Sequence, residues 1–136
     1  MQYMLLIYST ERTDFQPSVE EFQAGVAGHR ALMDETDEKG ILLSANPLRP
    51  STTAKTVRMG SDGKRVVTDG PFAETKEQLA GYYLLECKDE AEALSYAQRI
   101  PMACAGGGVH GVEVRPLLPF AEIRQALELL LAEQPA

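Results

Sequence analysis

Two runs, Tyr3–Ser9 (YMLLIYS) and Gly81–Cys87 (GYYLLEC), constrain the fold most. Each is short, apolar and rich in strand-forming residues. Neither alternates apolar with polar. Tyr3, Leu5 and Ile7 would line one face of a first strand, and Met4, Leu6 and Tyr8 the other. A strand that is apolar on both sides needs both sides covered.

The segments between them supply one cover. Residues 17–40 carry a capping signal, Ser18 with Glu21 three positions on, and an apolar stripe of Val19, Phe22, Val26 and Met33 at helical spacing. Gly40 marks the end of that helix. Gly25 and Gly28, one turn apart, weaken it, but would also let it pack closely on a sheet. Ile41–Ala45 reads as the next strand. The runs KTVRMG and KRVVTD flank Ser61-Asp62-Gly63 and predict a hairpin. Asp89–Ile100 is a second helix capped by Asp89 and ended by Pro101. Val112–Leu117 is the last strand, and Pro119–Gln134 a tail helix with Phe120, Ile123, Leu127 and Leu130 in line.

The order β-α-β, hairpin, β-α-β defines an α+β chain, a ferredoxin-like split βαβ with an extra β-hairpin and a C-terminal helix. The division is a domain over residues 1–118 and a helical extension over 119–136. Two helices cover one sheet face. The other, also apolar, is covered either by a second copy of the chain, giving a homodimer, or by the tail helix folding back.

The chain has 136 residues and a net charge of −7. That charge argues against nucleic acid and against an anionic membrane surface, since both select clustered Lys and Arg. No run reaches the ~18 apolar residues of a membrane span. The N-terminus has no signal-peptide pattern. Cys87 and Cys104 form neither a zinc motif nor a disulfide framework, and two free thiols fit a cytoplasmic protein. No metal-ligand spacing is present, and no cofactor is expected. The run Gly106-Gly107-Gly108 follows a helix and precedes a strand, the reverse of a nucleotide-binding loop, and reads as a connection.

The candidate chemistry is sparse. His29 falls on the apolar stripe of the first helix, facing the sheet. It is either a satisfied core residue or a proton shuttle. Asp69, in Asp-Gly-Pro, is either turn chemistry or a carboxylate facing a pocket. Lys76, in the charged run with Glu74 and Glu77, could draw in an anion, although a solvated loop is the plainer reading. Tyr8 and Tyr83 on the central strands, and His110 before the last strand, are further substrate-binding candidates against readings as core aromatics and a solvated loop histidine.

The run VTDGPFAETKEQLAGYYLLE, with YMLLIY, GILLSANPLRPSTTAKTVR and GVEVRPL, strongly resembles the DGPF branch of the YCII-related proteins from Tyr3 to about Leu117. The resemblance implies a dimeric α+β barrel. It also implies a small-molecule pocket between the first helix and the sheet, where His29 and Asp69 would form a catalytic acid–base pair. Relatives are mostly uncharacterised, and one branch is associated with removing chloride from aromatic compounds. Genes of this kind often neighbour those of extracytoplasmic-function sigma factors. That implies an alternative, a non-catalytic ligand-sensing or regulatory protein with a sigma-factor partner.

Overall fold

The computed structural model describes residues 1–11, 18–101 and 108–135. Its elements are β1 (Gln2–Thr10), α1 (Val19–Glu38), β2 (Leu42–Pro47), a 3-10 turn (Ser51–Thr53), β3 (Lys55–Met59), β4 (Arg65–Asp69), β5 (Glu77–Glu86), α2 (Glu90–Ala97), β6 (Val109–Pro116) and α3 (Phe120–Ala132). Four strands form an antiparallel sheet in the order β2-β5-β1-β6, and β3-β4 is a separate two-stranded ribbon. With that ribbon set aside, the strand order is that of the ferredoxin-like split βαβ unit, as the sequence predicts.

The helix ends follow local chemistry. The Ser18 side chain accepts from the Glu21 amide at 3.1 Å, and the Asp89 side chain accepts from the Glu92 amide at 2.9 Å. Gly40, at φ 71, sits just past the end of α1. The hairpin turn closes where Asp-Gly predicts, with Gly63 at φ 80 and Asp62 Oδ1 accepting from the Lys64 amide.

The core lies between the sheet and the two long-connection helices. Tyr3, Leu5 and Ile7 of β1 and Tyr83 and Leu85 of β5 meet Leu32 of α1 and Ala93, Tyr96 and Ala97 of α2. Each fully buried Leu here stabilises the fold by ~1.5–3 kcal/mol. On the opposite face, Met4, Leu6, Tyr82 and Leu84 are only partly buried. The helix α3 buries none of its residues, and its Phe120 is 83% exposed. The tail helix therefore does not fold back as a cover for that face.

Three readings are corrected. The inward face of α1 is Gly25, Leu32 and Thr36, with His29 partly buried beside them, whereas Phe22 and Val26 are half exposed. Gly28, however, meets Pro101 rather than the sheet, since a Cβ there would lie 2.7 Å from Pro101 Cγ. Finally, β5 begins at Glu77, so the charged run there enters a strand. Cys104, Gly106 and Gly107 lie outside the described residues.

Candidate functional site

His29 and Tyr83 come together across the helix–sheet boundary. On β5, Tyr83 points to the same side as Leu85, because strand side chains alternate. On α1, His29 sits one turn before Leu32, so it meets that side of the sheet. His29 Nδ1 and Tyr83 Oη are 2.6 Å apart, and the rings stack with centroids 5.9 Å apart at 15°. Either the phenol donates to Nδ1, or Nδ1–H donates to the phenol oxygen. Burial disfavours the imidazolium and lowers the His29 pKa below its ordinary value. The ring is therefore neutral near pH 7 and able to accept a proton.

Asp69 goes elsewhere. It ends β4 directly opposite Lys55, and its Oδ1 lies 2.5 Å from Lys55 Nζ with the carboxylate side chain 87% exposed. Asp69 and His29 bond to different residues, Asp69 to Lys55 and His29 to Tyr83. The next residue explains the motif better. Gly70 has φ 97, a region costly for any residue with a Cβ. Its amide donates to Ala54 O at 2.8 Å, and its carbonyl accepts from Thr56 Oγ1 at 2.7 Å. The Asp-Gly-Pro turn thus extends the β3-β4 pairing by one step beyond Lys55 and Asp69.

The other candidates scatter. Tyr8 is on the open sheet face, paired with Leu79 and Gly111. His110 is exposed on β6, and its Nε2 lies 2.6 Å from Thr10 Oγ1. Lys76 lines a cleft of about 530 Å³ at the far end of β1, with Thr10, Glu11 and Gly70. Cys87 is fully buried, and burial pushes its thiol up to about 11, which leaves little thiolate to react. Among the described residues, no group of three or more His, Cys, Asp or Glu is placed to hold a metal ion. No described helix is long and apolar enough to cross a membrane.

Two arrangements escaped the sequence. One is the role of Tyr83 as the partner of His29, which was legible only as shared strand parity with Leu85. The other is a polar cluster on the open face. There Asn46 Nδ2 donates to Tyr82 Oη at 3.0 Å and Ser44 Oγ lies 3.0 Å from the same oxygen. These bonds lower the Tyr82 pKa from its ordinary value. No spacing signal links residues 36 or more positions apart.

This fold matches a known family. The chain belongs to the YCII-related domain family, whose model matches residues 1–121. It is 40% identical over 117 residues to an uncharacterised protein of Rhizobium meliloti (strain 1021), covering 86% of this chain and 92% of that one. Among solved structures it is similar to a 5-chloro-2-hydroxyhydroquinone dehydrochlorinase from Burkholderia phenoliruptrix AC1100 in complex with 2,5-dihydroxybenzoquinone. That likeness has a TM-score of 0.45 at 15% identity, over 87% of this chain and 94% of that one, too slight to bear on chemistry.

Proposed function

We propose that this chain is a cytoplasmic homodimer that binds a small, partly apolar anion beside α1 and β5 and carries out acid–base chemistry there without a cofactor. The observation that carries the reading is the 2.6 Å contact between His29 Nδ1 and Tyr83 Oη. A histidine kept neutral by burial is a usable general base at neutral pH. The contact with Tyr83 engages Nδ1 and orients the ring. Tyr83 thereby takes the orienting role that the family resemblance offers to Asp69. Such a pair suits elimination, isomerisation or hydrolysis.

The dimer follows from the open sheet face. Met4, Leu6, Tyr82 and Leu84 form an apolar surface that two helices and a tail helix leave incompletely covered. An apolar sheet face of this kind is what a two-fold dimer can bury. Sedimentation of wild type and Leu6→Lys tests it: a dimer that the substitution dissociates is expected, and a monomeric wild type rejects it.

The chemistry is tested with benzoate, salicylate and 4-hydroxybenzoate as probes, followed through the His29 ring by NMR. At least one probe should shift the His29 ring in wild type, with the shift reduced in Tyr83→Phe. No perturbation by any probe, or equal perturbation in the variant, overturns the reading.

A further inference from the structure

A different part of the molecule carries two adjoining open clefts. The cleft lined by Lys76, of about 530 Å³, adjoins a second of about 300 Å³, and the two share Ser51, Pro71 and Gln78 in their walls. Both are open to solvent rather than enclosed. The walls are held before any ligand arrives. Glu11 accepts from the Ser51 amide at 2.7 Å and the Ser51 hydroxyl at 2.5 Å, tying the end of β1 to the 3-10 turn. Gln78 Nε2 donates to Ala73 O at 3.1 Å and Thr75 O at 2.9 Å, fixing the loop that carries Lys76.

The lining chemistry is asymmetric. Glu11, Glu74 and Lys76 carry the charges of the larger cleft, while Leu48, Ala54 and Leu79 line the smaller one beside Arg49. Lys76 and Arg49 make no ion pair among the described residues. Two carboxylates and two cations balance, so a polyanion such as a nucleotide meets repulsion from Glu11 and Glu74. A lone cation meets it from Lys76 and Arg49. A molecule with one charge of each sign meets complementary partners for both, and an apolar side chain would then occupy the Leu48–Leu79 wall.

We infer that the two clefts form a binding site for a free α-amino acid with an apolar side chain. Its carboxylate is held by Lys76, its ammonium by Glu11 and Glu74, and its side chain by Leu48 and Leu79. This site does not depend on His29, and its success or failure leaves the acid–base reading untouched.

The test is an amide NMR titration of the full chain with L-leucine, L-methionine and glycine. Two analogues of leucine serve as controls, 4-methylpentanoate without the ammonium and isoamylamine without the carboxylate. Saturable shifts at Gly70, Thr75 and Gln78 are expected for leucine or methionine. Each control should bind about tenfold more weakly, the loss of one charge-assisted contact, and glycine should also be weaker. Lys76→Met and Glu74→Gln, both at exposed loop positions, should each weaken binding without unfolding the chain. The inference is overturned by no saturable shift with leucine or methionine, by a control that binds as well as leucine, or by variants that bind unchanged.

Discussion

Replacing Gly28 by alanine sets two known effects against each other. Alanine is favoured over glycine in a helix interior by about 1 kcal/mol. At this position, however, the added methyl carbon would lie 2.7 Å from Pro101 Cγ and 3.6 Å from Pro101 Cβ. Carbon atoms rest at roughly 3.5–4.0 Å, so the approach is about 1 Å too close. A proline ring has little room to move, and overpacking of this kind costs about 1–3 kcal/mol. The difference is a net loss of about 0–2 kcal/mol, opposite in sign to the propensity rule. Pro101→Ala removes the offending Cγ. The double variant should therefore recover the helix gain, with a coupling of about 1–3 kcal/mol in the mutant cycle. Urea unfolding followed by circular dichroism measures all four proteins. A Gly28→Ala protein that is more stable by about 1 kcal/mol, with no coupling to Pro101, would refute the packing argument. The clash sits next to His29, so the single variant should also disturb the His29–Tyr83 contact.

Leu32→Ala, at a position 2% exposed in the core of α1, should cost about 2–5 kcal/mol by urea unfolding. A loss under about 1 kcal/mol would mean the helix does not pack as described. Asp69→Asn should leave the melting temperature and the His29 titration unchanged, because its carboxylate faces solvent and Lys55. A shift in the His29 pKa would show that the two residues communicate. The stability of wild type should fall with pH through the ordinary histidine range. The unfolded chain takes up a proton there that the folded ring resists, and the loss levels off below the folded pKa. The slope is at most about 1.4 kcal/mol per pH unit and smaller for a partly exposed ring. His29→Gln should flatten it, as judged by urea midpoints between about pH 7.5 and pH 5.5.

The architecture was legible because its signals are local. The apolar runs at Tyr3–Ser9 and Gly81–Cys87, the caps at Ser18 and Asp89, and Asp62-Gly63 each declare an element within a few residues. Their order then admits few topologies. The facing of α1 is not legible in its apolar stripe, because the residues it buries are Gly25, Leu32 and Thr36, while Val19, Phe22 and Val26 stay exposed. The same limit holds for the candidate site. His29 and Tyr83 are 54 positions apart, and Glu11 and Ser51 are 40 apart. No pattern along the chain pairs them until the sheet register does. Asp69 drew notice as a carboxylate in a conspicuous motif, but the conformation that the motif serves belongs to Gly70.

The central claim rests on the state of one imidazole ring. Nitrogen-detected NMR of His29 across the acidic to neutral range, in wild type and in Tyr83→Phe, reads its pKa and its tautomer together. The account predicts a wild-type pKa below about 6.5 and one dominant neutral tautomer, with that preference lost when the phenol is removed. An ordinary pKa with a mixed tautomer that Tyr83→Phe leaves unchanged would contradict it.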